Sequence, residues 1–316
     1  MMLSPAPLRR ALPDGAVVST WTAPDGWRLR RFDWAAPTGK VRGSILFQGG
    51  RGDIFEKYLE VFGHWHAAGW AITSIDWRGQ AGSGRTTDHA RCGDIPDFAM
   101  FIDDLRGFGA EWLANGAGPH VAIGHSMGGH LLLRAMAERV FVPDAAVLVA
   151  PMLGLKGPGG AGVGEALAKF MSRFGPVRRP AWKGNERPHT LQSRQKLLTH
   201  DASRYADELF WHEAKPEIVT GPPSWRWVLN AFRSTRELRQ SGKVASVRVP
   251  ILGLVAEADG LVDPQAALAQ LAGPPDAQVI RFGSESAHEI LREADPVRDR
   301  AIAAIDAFLD ARAPAK

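Results

Sequence analysis

The residue of this sequence best placed to act as a nucleophile is Ser126, in Gly124-His125-Ser126-Met127-Gly128. The apolar run Val121-Ala122-Ile123 precedes it and a helical pattern, Gly129 to Met136, follows it. A G-x-S-x-G pentapeptide between a strand and a helix turns the chain so sharply that the positions two before and two after the serine must be small. The hydroxyl then stands exposed at a helix N-terminus, which favours developing negative charge. With 34 glycines in the chain, a chance pentapeptide is the competing explanation, and the strand–helix context weighs against it. His125 adjoins the serine, but neighbours on a sharp turn point apart, so it reads as a shaping residue.

A serine hydroxyl needs a base to take its proton. Nucleophile elbows of this kind are followed along the chain first by an acid and then by a histidine. Of the ten histidines, only His288 lies beyond the acids near residue 260. Three carboxylates compete for the third role: Glu257, Asp259 and Asp263. Asp263 precedes Pro264 and an apolar-periodic stretch, the arrangement of a helix N-cap with proline at the first helical position. Asp259, followed by Gly260, is best placed to orient the imidazole, with Glu257 and Asp263 as alternatives.

Acyl transfer also needs backbone N–H groups aimed at the developing oxyanion. The Met127 amide, directly after the nucleophile, is one expected donor. The second is expected from Gln48-Gly49-Gly50-Arg51-Gly52, with Gly50 the nominated amide and Gly49 its near neighbour. Glycines let a backbone approach a substrate closely. A phosphate-binding loop is excluded, because the segment matches neither G-x-x-x-x-G-K-[ST] nor G-x-G-x-x-G.

These residues need a scaffold, and the hydrophobic pattern describes one. Val17 to Trp21 and Trp27 to Phe32 flank the turn signal Pro24-Asp25-Gly26 and read as an antiparallel hairpin. From Ser44 onward, short apolar runs alternate with amphipathic stretches. The runs are Ser44–Phe47, Trp70–Ile75, Val121–Ile123, Ala145–Val149, Val249–Val255 and Gln278–Phe282. Helices are expected at Phe55–His66, Phe98–Leu113, Met127–Arg139, Pro264–Leu271 and Pro296–Ala311. Strands this uniformly apolar, separated by helices, imply a parallel sheet covered on both faces. The rhythm stops between about Met152 and Thr235, where no strand stands out and Gly-Pro clusters and tryptophans accumulate. The reading is therefore an α/β core, residues 1–151 and 236–316, interrupted by a helical insertion at 152–235.

With these segments in place, the sequence resembles the bacterial lysophospholipase and monoacylglycerol lipase branch of the α/β-hydrolases. The resemblance rests on Phe47 to Gly52, Asp76-Trp77-Arg78-Gly79-Gln80-Ala81-Gly82-Ser83-Gly84-Arg85, Gly124 to Gly129 and Ala150-Pro151-Met152. Ala258-Asp259-Gly260-Leu261-Val262-Asp263 and Ala287-His288 extend it. It covers most of residues 40–150 and 245–316 and matches the insertion by position more than by sequence. In that family the first aspartate of A-D-x-x-V-D is the acid, which supports Asp259. Gln48-Gly49 stands where the family often has His-Gly. The resemblance implies hydrolysis of a long-chain acyl ester, a lysophospholipid or a monoacylglycerol, with no metal and no organic cofactor.

The insertion would then cap the serine. Its Trp182, Trp211, Trp225, Trp227, Leu167, Phe170, Phe174, Leu209 and Phe210 suit an acyl chain, and they suit packing of the cap onto the core equally well. Arg178 and Arg179 read as a solvated surface pair, with contact to a phosphate head group as the sharper alternative. Acyl transfer to an acceptor other than water is not separated from hydrolysis by sequence. A catalytically silent receptor of this fold would show a broken triad, and here all three members are present.

Composition narrows the remaining possibilities. The single cysteine, Cys92, excludes an intramolecular disulfide and a cysteine-based metal site. Hydrophobic residues at 45% and charged residues at 23% are ordinary for a globular protein. The net charge of +4 is spread along the chain without a nucleic-acid-binding motif. No apolar run has signal-peptide or membrane-spanning length. The expectation is a soluble, cytoplasmic protein with at most peripheral membrane contact and a small ester as its partner.

Overall fold

A computed structural model of the chain describes residues 5–156, 160–173, 176, 178–182 and 194–314. Eight strands form one sheet in the order β1-β2-β4-β3-β5-β6-β7-β8. They are β1 (Ala16–Thr22), β2 (Arg28–Trp34), β3 (Gly43–Gln48), β4 (Trp70–Ile75), β5 (His120–His125), β6 (Ala145–Val149), β7 (Ile251–Ala256) and β8 (Ala277–Phe282). β1 and β2 form the expected antiparallel hairpin, β2 joins β4 antiparallel, and every other pairing is parallel.

The period of two within each central strand assigns residues to the layers. Ile45 and Phe47 of β3, Val121 and Ile123 of β5, and Val147 and Val149 of β6 enter one core. That core is shared with the helices Leu59–Ala67 and Asp295–Arg312. Leu46, Ala122, Ala146 and Leu148 enter the other, with the helices Ala99–Asn115, Met127–Ala137 and Pro264–Leu271. Both faces are therefore dry, which is why β3, β5, β6 and β7 read as continuous apolar runs.

The sheet winds outward in both directions from β3, to β4 on one side and β5 on the other. Where winding reverses, connections leave the carboxyl ends of neighbouring strands in opposite directions and open a crevice. The Gly49-Gly50 loop leaves β3 there, and Ser126 follows β5 directly.

Between β6 and β7 the described chain supplies helices Ala161–Met171, Ala202–Ala214 and Trp225–Gln240, with isolated β-bridges instead of strands. The boundary expected at residue 235 falls inside the last of these helices. Ser224 caps its start by accepting from the Trp227 amide, and it runs unbroken to Gln240. Among the described residues, no helix is long and apolar enough to cross a membrane.

Candidate active site

Ser126 sits between β5 and its helix with φ 51° and ψ −114°, a conformation that L-residues rarely hold. Its amide donates to the Val149 carbonyl at 2.9 Å, and its carbonyl accepts from Met152 and His130. The turn tolerates nothing larger than glycine on either side. A β-carbon on Gly124 would lie 2.7 Å from the Gly129 nitrogen, and one on Gly128 would lie 2.2 Å from the Gln48 carbonyl oxygen. The pentapeptide is thus a steric requirement of this fold. Among the described residues the Ser126 side chain has no hydrogen-bond partner. It lines a cavity of about 560 Å³, as does His288.

His288 Nδ1 lies 2.6 Å from Asp259 Oδ2. The other carboxylate oxygen of Asp259 accepts from the amides of Leu261 (2.8 Å) and Val262 (3.1 Å). Burial alone would raise the Asp259 pKa, but the His288 charge, its hydrogen bond and those two amides bring it below the ordinary value. An ionised carboxylate only accepts, so Nδ1 carries the proton and Nε2 is left as the basic nitrogen. Burial likewise opposes charge on His288, but Asp259, followed by Glu289 and Asp53, raises its pKa above the ordinary value.

The competing acids are occupied elsewhere. Asp263 caps the helix Pro264–Leu271 by accepting from the Gln265 and Ala266 amides. Glu257 faces Arg281 at the surface.

The Met127 amide opens the helix Met127–Ala137 beside the nucleophile. Gly50 is brought to the same place, since a β-carbon there would lie 3.0 Å from Ser126 Cβ. Its amide, however, donates to Asp53 Oδ2 at 2.7 Å. The expectation that Gly50 offers a free oxyanion donor is therefore corrected. An amide already held by a carboxylate is not open to a second anion without turning away from the first.

Sequence reasoning missed Asp53 and the cluster around it. Asp53 Oδ2 also accepts from the Tyr58 hydroxyl at 2.7 Å and lies 2.8 Å from His125 Nδ1. Lys57 Nζ reaches Asp53 at 2.6 Å, Glu289 at 2.5 Å and Glu208 at 3.3 Å. Arg292 bonds Glu289 and Glu208, and Arg194 bonds Glu208 at 2.7 Å. Burial disfavours the Asp53 charge, but Lys57 and His125 hold its pKa well below the usual carboxylate range. The i, i+4 spacing of Asp53 and Lys57 was the one local signal available.

Of the apolar cap residues named from the sequence, Leu167, Trp182, Trp225 and Trp227 line the cavity. Trp211 is instead buried in the second core, and Phe170, Leu209 and Phe210 are exposed. Phe174 lies outside the described residues. Arg178 and Arg179 do not line the cavity. Arg178 is exposed, and Arg179 bonds to the Met171 carbonyl. Among the described residues, no cluster of three or more His, Cys, Asp or Glu is arranged to hold a metal ion.

A mostly parallel sheet wound outward from β3, a glycine-locked serine after β5, and an acid and a histidine after β7 and β8 define an α/β-hydrolase. The chain belongs to the Hydrolase_4 family, described as serine aminopeptidase S33, which matches residues 39–295. It is 28% identical over 271 residues to lysophospholipase L2 of Escherichia coli K12, covering 83% of this chain and 78% of that protein. It is 24% identical over 279 residues to a probable lysophospholipase L2 of Haemophilus influenzae, covering 87% and 86%. In fold it is similar to a monoglyceride lipase from Saccharomyces cerevisiae, with a TM-score of 0.74 and 18% identity over 96% of this chain and 97% of that one. A monoacylglycerol lipase from Paleococcus ferrophilus gives a TM-score of 0.68 at 20% identity, covering 90% and 99%.

Proposed function

We propose that the protein hydrolyses carboxylic esters of glycerol-linked acyl chains by two-step acyl transfer on Ser126. The reading is carried by one arrangement: Ser126 and His288 share the wall of one apolar-lined cavity, with His288 hooked to Asp259 behind it. His288 Nε2 takes the Ser126 proton as Oγ attacks the ester carbonyl, and it returns that proton to the departing alcohol. Water, activated by the same nitrogen, then releases the acid. Asp259 fixes the ring and stabilises the imidazolium. The Met127 amide, at the positive end of its helix, faces the oxyanion.

The helical segment between β6 and β7 acts as a cap in this reading. Leu167, Trp182, Trp225 and Trp227 provide an apolar surface over the serine that an acyl chain would desolvate. The lysophospholipase names of the sequence relatives and the lipase names of the structural neighbours agree with an acyl ester substrate.

Purified protein should hydrolyse p-nitrophenyl butyrate and take a fluorophosphonate label at Ser126. Ser126→Ala should lose several orders of magnitude in kcat together with the label. Turnover that survives the substitution would remove the assignment. Absence of both label and turnover in the wild type would point to a silent binding protein. Added alcohol, with product analysis, separates hydrolysis from transfer to another acceptor.

A further inference from the structure

Histidines aside, the charged side chains on the cavity wall are Arg51, Asp53, Lys156, Arg194 and Glu289. Most of them are already balanced. Asp53 and Glu289 are matched by Lys57 and Arg292, and Arg194 is matched by Glu208. Lys156 donates to the Asp259 backbone carbonyl, which leaves its ammonium without a carboxylate among the described residues, but a single ammonium lacks the planar fork of a guanidinium. Arg51 has no carboxylate among the described residues. Its recorded polar contact is from Nη1 to the Gly221 carbonyl, at 2.9 Å.

That contact fixes the guanidinium without neutralising it. The Trp227 ring, 5.6 Å from Arg51 Cζ, adds a cation–π support from the cap side. Nη1 is engaged, so Nε and Nη2 remain as the parallel pair of donors that matches two oxygens of one phosphate. The environment is unfavourable for an isolated cation. Burial first, and then repulsion from Arg194, push the Arg51 pKa down to about 10, and the Asp53 charge offsets only part of this. An anion at this position would relieve both effects.

Position selects the kind of anion. Arg51 directly follows Gly50, whose backbone lies against Ser126. A charge carried by the substrate must therefore be close to the scissile ester, within the reach of one arginine side chain. In a glycerophospholipid with one acyl chain, the glycerol backbone alone separates ester and phosphodiester. A monoacylglycerol would leave the guanidinium unmatched.

We infer that Arg51 is a specificity-determining residue that binds the phosphate of a monoacyl glycerophospholipid on the alcohol side of the ester. The inference rests on the ester-hydrolase reading above and names its substrate class.

The test uses the full chain and two substrates of one acyl length, 1-oleoyl-lysophosphatidylglycerol and 1-oleoylglycerol, below their critical micelle concentrations. Wild-type kcat/KM should favour the phosphate-bearing ester by about 10- to 100-fold, the range of a charge-assisted contact at a partly buried site. Arg51→Gln should collapse that preference, chiefly through KM, and Arg51→Lys should restore part of it. Glycerol 3-phosphate should inhibit p-nitrophenyl butyrate hydrolysis by the wild type at concentrations where glycerol does not. This arm separates recognition of the phosphate from recognition of the lipid.

A wild type that prefers 1-oleoylglycerol, or an Arg51→Gln protein that keeps the phosphate preference, overturns the inference. So does turnover of p-nitrophenyl butyrate with neither lipid cleaved, an outcome that leaves the ester-hydrolase reading standing. Loss of all three activities in the wild type removes that reading as well. If Arg51→Gln does not fold, the wild-type preference and the glycerol 3-phosphate arm decide the matter.

Discussion

Two buried histidine–aspartate pairs lie side by side at this site, with the rings of His125 and His288 4.8 Å apart. Each has Nδ1 within 2.8 Å of a carboxylate oxygen. What distinguishes them is the rest of their surroundings. Among the described residues His288 Nε2 has no partner, and the Asp259 carboxylate is tied only to that ring and to backbone amides. His125 has Nε2 near the His288 carbonyl at 3.4 Å, and its aspartate is held by Tyr58, Lys57 and the Gly50 amide. A histidine can serve as base only if a nitrogen is left to receive a proton. The comparison assigns chemistry to the pair that is unfinished and support to the pair that is complete.

The contrast is most severely tested by removing each ring. His288→Ala should lower kcat on p-nitrophenyl butyrate by about four orders of magnitude or more, because the serine then has no base. His125→Asn keeps a donor for Asp53 and should cost no more than about tenfold, as a small misplacement would. Equal losses in stopped or continuous assays would erase the distinction between the pairs. Asp259→Asn comes next in size, at about 10³-fold or more, since the amide cannot hold the productive tautomer.

Most of the fold was legible because apolar period and turn chemistry are local properties. The β4 limits, Trp70–Ile75, and the β6 limits, Ala145–Val149, are the same in sequence and structure. That Ser126 would stand on a tight turn was readable because glycine at 124 and 128 is a local steric demand. That Asp259 would meet His288 was readable because chain order limits the choices. Asp53 was not, because its contact with His125, and the links of Lys57 onward to Glu208 and Glu289, join residues far apart in the chain. Arg51 was visible as a residue of the loop, but whether a cation has a carboxylate beside it is a property of assembled structure alone. Gly50 shows the same limit from the other side. Its position could be read, but the acceptor of its amide could not.

The finest separation between the pairs is in pH. In the proposed mechanism His288 acts as a base only when neutral, and Asp259, against the effect of burial, raises its pKa above 6.5. The rising limb of kcat/KM for p-nitrophenyl butyrate should therefore have its midpoint above pH 6.5. Asp259→Asn removes the principal charge responsible and should move that midpoint down while activity falls. His125→Asn should leave it in place. The same shifts govern stability. The raised histidine contributes fully below pH 6.5 and loses its contribution as pH climbs through the raised value. The lowered aspartate contributes above pH 3.8 and loses its contribution as pH falls through the lowered value. Between those limits the thermal midpoint of Asp259→Asn should lie furthest below that of the wild type, and the gap should narrow on either side. A wild-type limb centred below pH 6.5, or one that moves equally in both variants, would mean that the two pairs share the titration and that the free nitrogen of His288 does not set it apart.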